Sequence, residues 1–358
     1  MAAPGDEGGG SPSKRRRRRW WLIPLALLAV VAVAAAFIRL PYDTIAPGSS
    51  RQVNDLVLVR GAPSYPPHGQ VLYTTVSERD RVSPYEILYG WLSPDIDVVS
   101  DKSLRGNTSP QQFQQENVAL MADSKKVAEA VALEHLGYHV VQGNGAFVRT
   151  VRAGTPAASV LQPNDVIVGV DGKPVAIDAE AVSAIKAHKP GDRVQLSITR
   201  GSAPARTVEA TLAQGPDGRG FLGVSLETSG LQIKLPFQID IDSGSVVGPS
   251  AGVAYALELL DVLTPGELTG GGKIAATGDL QLDGTIGAIG GVAQKVVTVR
   301  RAGASVFLVP KDNYAEAKAH AGSHLKVIAV GTFDDALRVL GSLKGSNALA
   351  LARPSPGT

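Results

Sequence analysis

The 358-residue sequence contains no cysteine, and aromatic residues make up only 5% of it. Without cysteine, the chain has no disulfide scaffold, thiolate zinc site, iron–sulfur cluster or cysteine nucleophile. No Gly-X-Y period and no dominant polar tract occurs, which excludes collagen-like and wholly disordered chains. Hydrophobic residues make up 44% of the sequence, and its length allows about two domains at roughly 150 residues each.

The charge is unevenly distributed along the chain. The total of +2 combines a segment of residues 1–19 at +4, in which Lys14 and Arg15–Arg19 outnumber Asp6 and Glu7, with −2 on the other 339 residues. A slightly acidic body lacks the basic surface that nucleic-acid binding requires. We therefore expect no nucleic-acid partner.

The N-terminal part of the sequence is typical of a membrane anchor. Trp20–Ile38 runs for 19 residues without a charge, which is about 28 Å of helix and close to the hydrocarbon thickness of a bilayer. Basic residues next to a transmembrane helix stay on the cytoplasmic side of the membrane. Residues 1–19 are therefore predicted to be a cytoplasmic tail and 20–40 a transmembrane helix. This predicts a single-pass protein of the cell membrane with its later domains outside the cytoplasm. The alternative is a signal peptide cleaved near Ala36, but the apolar run is longer than the hydrophobic region of an ordinary signal peptide.

Composition and periodicity divide the remainder of the chain. Residues 41–136 are predicted to form a mixed strand and helix region, with helices over 83–92 and 109–136. A block over 137–213 follows, then a glycine-rich break, a final block over 221–343 and a flexible tail over 344–358. The predicted fold class is a multidomain α+β protein with an N-terminal transmembrane helix.

The block over 137–213 carries a recognisable order of short motifs. These are Gly154-Thr155-Pro156-Ala157, Asn164-Asp165-Val166-Ile167 and Val170-Asp171-Gly172, of which the last is a hairpin turn signal. The block resembles a PDZ domain of the type found in bacterial proteases. The resemblance implies a PDZ-like β-sandwich or barrel that adds a peptide as an extra strand.

We expect the peptide-binding groove of this domain to lie at its first strand. The predicted carboxylate-binding loop is Gly143–Ala146, the predicted edge strand is Phe147–Val151, and the opposite wall is a helix containing Ala184 and Ile185. The predicted groove residues are Gly145, Ala146, Phe147 and Val148. The alternative is a domain that only spaces or shields the block that follows.

Ser250 lies where a catalytic serine would be favoured. It belongs to Gly248-Pro249-Ser250-Ala251-Gly252, which precedes an apolar helical run. Free backbone N–H groups and the positive end of the helix dipole gather at such a helix start and suit a developing oxyanion. Gly248, Pro249 and Ala251 are the predicted backbone contributors. Taken alone, this segment favours an ordinary Ser/Pro helix start over a catalytic serine.

Lys295 lies on the apolar stripe of a second predicted helix. Val292, Lys295, Val296 and Val299 fall at i, i+3, i+4 and i+7. Burial there lowers the pKa of a lysine, and the neutral amine can then serve as a general base. The alternative is a lysine that reaches water or forms a salt bridge. Together, Ser250 and Lys295 suggest a Ser–Lys dyad.

Histidine offers no comparable base in the final block. Its two histidines, His320 and His324, lie in a polar helical stretch without an orienting carboxylate. His135 and His139 are also four residues apart, but they lack the acidic residue of a zinc-binding helix. We therefore expect neither a metal nor a cofactor.

The block over 221–343 resembles the proteolytic domain of Lon proteases. The matching segments share their order along the chain, and they are Gly248–Gly252, Ala276–Leu280, Ile289–Lys295 and Val306–Pro310, followed by Lys311 and Asn313. The resemblance implies an α/β Lon-type domain in which Ser250 is the nucleophile, Lys295 the general base and Thr277 the residue that orients the lysine. The sequence departs from the family at Val247, where many Lon proteins carry an acidic residue.

The order of the segments resembles the membrane-anchored PDZ and Lon-like proteases of Gram-positive bacteria. The printed sequence contains no G-x-x-x-x-G-K-[ST] motif for ATP. The resemblance implies an ATP-independent serine endopeptidase that cleaves extracytoplasmic proteins or peptides and that forms a homo-oligomeric ring. The alternative is a catalytically inactive membrane scaffold that binds peptides through its PDZ-like domain.

Overall fold

A computed structural model describes residues 22–216, 218–343, 345 and 351. The α-helices are α1 (Leu22–Phe37), α2 (Pro84–Leu92), α3 (Asp101–Arg105), α4 (Pro110–His135), α5 (Asp178–Lys186), α6 (Gly252–Leu263), α7 (Val292–Arg301), α8 (Tyr314–His320) and α9 (Phe333–Ser342). The strands are β1 (Tyr42–Gln52), β2 (Val57–Arg60), β3 (Gln70–Arg79), β4 (Asp97–Ser100), β5 (Val141–Gln142), β6 (Ala146–Val151), β7 (Asp165–Val170), β8 (Lys173–Pro174), β9 (Arg193–Arg200), β10 (Arg206–Thr211), β11 (Ala213–Gln214), β12 (Gly220–Phe221), β13 (Val224–Thr228), β14 (Gln232–Ile233), β15 (Gln238–Ile241), β16 (Lys273–Ala276), β17 (Asp279–Leu280), β18 (Ile286–Gly287), β19 (Val306–Pro310) and β20 (Lys326–Val330).

The described residues form two compact units. The smaller consists of 22–45 and 78–106, and the larger of 46–77 and the described residues after 106. The PDZ-like and Lon-like blocks both belong to the larger unit. Part of the region expected over 41–136 belongs to each unit.

A buried arginine organises the smaller unit. The guanidinium of Arg105 lies 3.0 Å from Asp43, 2.8 Å from Asp80 and 3.0 Å from Asp101. Its side chain is 3% exposed and that of Asp43 is fully buried. Because a buried charge is costly unless it is paired, these three carboxylates keep the Arg105 side chain in place.

The helix α1 covers 16 residues of the predicted transmembrane segment. Among the described residues, none of the helices combines the length and the apolarity needed to cross a membrane. Trp20, Trp21 and the basic tail over 1–19 lie outside the described residues. The expected flexible tail over 344–358 also lies outside them, apart from residues 345 and 351.

The protease-like half of the larger unit is built around a sheet drawn from distant parts of the chain. β16 pairs in parallel with β3 on one side and with β19 on the other, and β20 continues the sheet beyond β19. β2 pairs antiparallel with β15. Residues before the PDZ-like block therefore supply strands to the block that follows it.

Two helices that meet in the core place the candidate nucleophile. In α6, every residue from Gly252 to Val262 is buried. Ala128, Val131 and Ala132 of α4 belong to the same hydrophobic cluster as α6. The PDZ-like block thus interrupts a single core in sequence, since α4 precedes it and α6 follows it.

The PDZ-like block has a core and a sheet of its own. Its sheet has the strand order β10-β9-β7-β6-β13, and β8 pairs with β7. The sheet therefore extends past the predicted end of the block at residue 213, because β13 lies in the segment expected to begin the Lon-like block. Asp171 and Gly172 have φ values of 49° and 76° between β7 and β8, as expected for the predicted hairpin turn. Val148, Ile167, Leu196 and Ile198 are fully buried beneath α5 and the sheet.

Candidate active site

Ser250 lies in the short 3₁₀ helix Pro249–Ala251 that leads into α6. The residue before that helix, Gly248, has φ 92°, a conformation that favours glycine. The Ser250 side chain remains partly exposed, while Ala251 is 3% exposed and α6 is buried. The serine hydroxyl is therefore presented at the surface from a rigid, buried helix.

Lys295 lies one turn into α7. The helix begins after Gly291, whose φ of 65° is also left-handed. The approach to α7 is held by Asn313, whose Oδ1 accepts from the Ile289 N–H at 2.8 Å and whose Nδ2 donates to the Ile289 carbonyl at 3.0 Å. Lys295 is 2% exposed, and burial lowers the pKa of its ammonium from 10.5 to about 7. The prediction of a buried lysine on the apolar stripe is confirmed.

The structure brings the three predicted catalytic side chains together. Lys295 Nζ lies 2.6 Å from Ser250 Oγ and 3.2 Å from Thr277 Oγ1. Thr277 is 1% exposed and directly follows β16. Residues separated by 45 positions in sequence thus share one hydrogen-bonded cluster at the border between core and solvent.

The hydrogen bonds of Thr277 fix the direction of the amine. Thr277 Oγ1 donates to the Ser250 carbonyl at 3.0 Å, and the N–H of Gly278 donates to the same oxygen at 3.0 Å. Because the threonine proton is used there, its oxygen accepts from Lys295 Nζ. In a neutral amine, this leaves the lone pair free to face Ser250 Oγ.

Two contacts that the sequence reasoning missed come from α4. Ser124 Oγ donates to the Pro249 carbonyl at 2.9 Å, and the Asn117 carbonyl accepts from the Gly248 N–H at 2.9 Å. Both lie more than 120 residues before Ser250 in sequence, so no local spacing signals them. They hold the backbone on either side of the bond that joins Gly248 to Pro249.

The prediction for the backbone N–H donors is only partly compatible with the structure. Gly248 already donates its N–H to Asn117, and Pro249 has no N–H group to donate. Ala251 is the one predicted residue that remains a candidate. The expectations for Gly248 and Pro249 are therefore wrong, because α4 takes up the Gly248 N–H and proline carries no N–H.

The histidines make structural contacts elsewhere. His135 Nε2 lies 3.0 Å from Asp334 Oδ1, and its ring packs edge-on against Phe333. His320 Nδ1 lies 2.9 Å from the Glu316 carbonyl on its own helix.

The predicted peptide groove of the PDZ-like block is misplaced. β6, which contains Phe147 and Val148, is paired with β7 on one side and with β13 on the other, so it is not an edge strand. Ala146 and Val148 are fully buried in the core. The N–H of Gly145 donates to the Ala176 carbonyl at 2.9 Å, and its carbonyl accepts from the Ser229 N–H. The expectation is wrong because β13, which lies at Val224–Thr228 beyond the predicted end of the block at residue 213, pairs with the free side of β6.

A cleft of about 1070 Å³ opens beside β13 instead. Among the described strands, β13 pairs with β6 alone. The Asp178 N–H donates to Thr228 Oγ1 at 3.2 Å, which fixes the start of α5 beside the end of β13. The cleft is lined by α5, by β13 and by the turn of the protease-like half between β17 and β18, and examples are Val182, Lys186, Glu227, Leu231, Gln281 and Asp283.

A lysine amine buried against a partly exposed serine hydroxyl is the arrangement that serine hydrolases of the Ser–Lys class use. Comparison with known proteins agrees. Residues 131–212 match the PDZ domain family, and residues 234–341 match the family described as Lon protease (S16) C-terminal proteolytic domain.

Curated relatives are Lon proteases. The Lon protease of Campylobacter concisus is 32% identical over 119 residues, which is 32% of this chain and 14% of the relative. The Lon protease of Clostridium beijerinckii is 38% identical over 105 residues, which is 28% of this chain and 13% of the relative. The Lon protease of Methylocella silvestris is 28% identical over 221 residues, which is 57% of this chain and 26% of the relative. The chain therefore spans only a small part of the length of these relatives.

Among solved structures, the PDZ domain of an SdrC-like protein from Listeria monocytogenes is 26% identical, with a TM-score of 0.22. The alignment covers 23% of this chain and 87% of that domain. Together, the domain matches and the Lon relatives support a PDZ-containing, Lon-like serine peptidase.

Proposed function

We propose that this protein is an ATP-independent, membrane-anchored serine endopeptidase that hydrolyses extracytoplasmic proteins with Ser250 and Lys295. The observation that carries the proposal is the 2.6 Å separation of Lys295 Nζ from Ser250 Oγ, together with the burial of that lysine. An amine with a pKa of about 7 is substantially neutral at physiological pH and can accept a proton.

In the first half of the reaction, Ser250 Oγ attacks the carbonyl carbon of the scissile peptide bond and its proton passes to Lys295 Nζ. The negative charge that develops on the carbonyl oxygen is stabilised by backbone N–H groups at the start of α6, with Ala251 as a candidate. Lys295 then gives its proton to the leaving amine, which departs and leaves an acyl ester on Ser250.

In the second half, water replaces the amine. Lys295, again neutral, takes a proton from the water as the water attacks the ester carbonyl. The tetrahedral intermediate collapses, the proton returns to Ser250 Oγ, and the acid product is released. Throughout both halves, the hydrogen bonds of Thr277 keep Lys295 Nζ directed at the reacting atoms.

The cleft beside β13 is the proposed place of substrate recruitment or regulation. An extended peptide can pair with the open edge of β13 and place side chains against Val182 of α5. The turn that contains Gln281 and Asp283 closes another side of the cleft, so a bound chain would also touch the protease-like half. The cleft thus gives the proposed peptidase a second contact with its protein substrates.

The membrane and ATP parts of the proposal rest on sequence. The apolar run Trp20–Ile38, preceded by Lys14 and Arg15–Arg19, supports an anchor with a cytoplasmic N-terminus. The printed sequence has no P-loop motif, which supports peptidase activity without ATP. A homo-oligomeric ring is proposed from the resemblance to Lon.

A covalent serine probe tests the proposal most directly. A fluorophosphonate or a peptide boronate should label or inhibit the full chain without ATP, and the Ser250→Ala variant should not react. Ser245→Ala, which changes an exposed serine five residues away, is the matched control and should react like the unchanged chain. If all three proteins fail to react while the chain still binds peptides, the protein is a peptide-binding scaffold.

A further inference from the structure

The helix α2 carries an apolar stripe on its exposed face. Its strongly exposed side chains are apolar or aromatic, and they are Tyr85 (45%), Leu88 (53%), Tyr89 (65%), Trp91 (74%) and Leu92 (76%). Four of these fall at i, i+3, i+4 and i+7, the spacing of one helix face. Ile87 and Gly90 are the buried residues of α2. A helix of a water-soluble unit normally turns such a stripe toward its core, so this face is arranged for an apolar environment outside the unit.

The start of α2 is fixed to the segment that directly follows α1. Arg39 Nη1, two residues after α1, donates to Glu86 Oε2 of α2 at 3.2 Å. The N–H of Leu40 donates to the Val82 carbonyl at 3.0 Å, and the N–H of Val82 donates to the Tyr42 carbonyl at 2.9 Å. Glu86 also closes a capping box with Ser83. The apolar face of α2 is therefore held next to the end of an apolar helix.

The chemistry of this face matches a membrane surface. Tyrosine and tryptophan concentrate where hydrocarbon meets headgroups, because one end of each ring system is apolar and the other is polar. At 9 residues, α2 is about 14 Å long, too short to cross a bilayer but long enough to lie along its surface. Trp20 and Trp21 stand before the other end of α1 in sequence. Aromatic residues thus bracket the apolar run on both sides.

We propose that α2 lies in the outer interface of the phospholipid bilayer that holds α1, with Leu88, Tyr89 and Leu92 among the lipid chains and Trp91 at the headgroup level. This rests on the proposed membrane anchor. The contact of α2 with the bilayer, added to that of α1, fixes the orientation of the smaller unit at the bilayer surface. With α1 alone, the unit would be free to rotate about the axis of that helix. A second copy of the chain is the competing occupant of the same face.

Fluorescence of Trp91 tests the placement of α2. The chain has three tryptophans, so the double substitution Trp20→Phe with Trp21→Phe leaves Trp91 as the only one. This full chain is reconstituted into phosphatidylcholine–phosphatidylglycerol vesicles whose lipids carry bromine either near the headgroup or near the end of the acyl chain. We expect strong quenching of Trp91, greater with bromine near the headgroup.

A matched variant provides the control. Trp91→Phe with Tyr314→Trp, added to the double substitution, moves the single tryptophan to the start of α8, and its quenching by each brominated lipid is the reference that quenching of Trp91 must exceed. Reaction with the serine probe, equal to that of the unchanged chain, shows that each variant is folded.

Flotation separates this proposal from the anchor on which it rests. If the chain floats with the vesicles while Trp91 is not quenched, the placement of α2 is wrong and the anchor stands. Trp91 emission that responds to dilution of the protein in the vesicles, again without quenching, assigns the face to a second copy and also overturns the proposal. A chain that does not float overturns the anchor, and the placement of α2 with it.

Discussion

Lys295 Nζ lies 2.6 Å from Ser250 Oγ, although the two residues are 45 positions apart in sequence. Lys295 is 2% exposed, and Ser250 is partly exposed to solvent. Burial therefore shields Lys295 from water and keeps its pKa low, while Ser250 stays accessible. Thr277 connects the two through its hydroxyl and the Ser250 carbonyl.

The first prediction is that Ser250 and Lys295 act as one unit. Ser250→Ala and Lys295→Ala should each lower kcat/KM for a peptide by at least about 1000-fold, and the double variant should be little worse than either. Thr277→Ala should be milder, because it removes an orienting hydrogen bond and leaves the base in place. Thr277→Ser, which keeps the hydroxyl, should retain most of the kcat/KM that Thr277→Ala loses. Substantial turnover by Lys295→Ala at neutral pH would contradict the assignment of the base.

The second prediction concerns the pH profile. Lys295 must be neutral to accept the serine proton, and its pKa is lowered to about 7. Hence kcat/KM should rise with pH, with a midpoint near 7, and level off above it, because kcat/KM reports the free enzyme. Steady-state kinetics on an unchanged peptide substrate give the midpoint. A midpoint near 10, or a flat profile between pH 5.5 and 9, would show that a buried lysine is not the base.

The sequence predicted this site better than it predicted the groove. Ser250 and Lys295 each lie in a local pattern, a helix start and an apolar stripe, and a local pattern determines where a side chain faces along its own helix. The contacts from Asn117 and Ser124 depend on how α4 packs against α6, and no spacing in the sequence encodes that packing. The prediction of Phe147 and Val148 at a sheet edge is wrong for a similar reason. An alternating strand pattern does not show whether a strand from a distant part of the chain will pair alongside.

The third prediction is that Lys295 lowers the stability of the fold. Its pKa is lower in the folded chain than in the unfolded chain, so below pH 7 folding must work against the desolvation of a charge, and above about 10.5 that cost is absent. Lys295→Met keeps the length of the side chain without the charge. It should raise the free energy of unfolding by a few kcal/mol at pH 7 and by less at pH 9.5, where the lysine is mostly neutral in the folded state and partly neutral when unfolded. Denaturant titrations at both pH values measure the difference. An equal gain at both would mean that packing, not the charge, causes it.

The fourth prediction is that Ser124 positions the nucleophile without touching substrate. Its hydroxyl donates to the Pro249 carbonyl, and Ser124→Ala removes this bond from the backbone next to Ser250. We expect kcat to fall about tenfold, because a small displacement of the nucleophile is costly, while KM changes little. Ser124→Thr, which keeps the hydroxyl, should retain more activity than alanine. Ser103→Ala, a change in the smaller unit, is the control. A pure loss of stability with normal kcat would make Ser124 a packing residue only.

The fifth prediction concerns the cleft between α5 and β13. If it recruits substrates, peptides with a free apolar C-terminus should bind with a Kd of about micromolar, because a short edge strand offers few contacts after ordering costs. Val182 lines the cleft and is 37% exposed. Val182→Asp should weaken this binding and slow the cleavage of a protein that carries such a C-terminus.

The same variant should leave cleavage of a short peptide unchanged, since Ser250 and Lys295 are untouched. Thr207→Asp is the matched control, because it places the same charge on exposed β10 at the opposite edge of the sheet. Equal losses on both substrates would indicate that the domain supports the fold or assembly of the peptidase. No effect on either substrate would make it a spacer. If the cleft recruits substrates, only the cleavage of the protein substrate should slow, because only that substrate has to bind beside β13 before its peptide bond reaches Ser250.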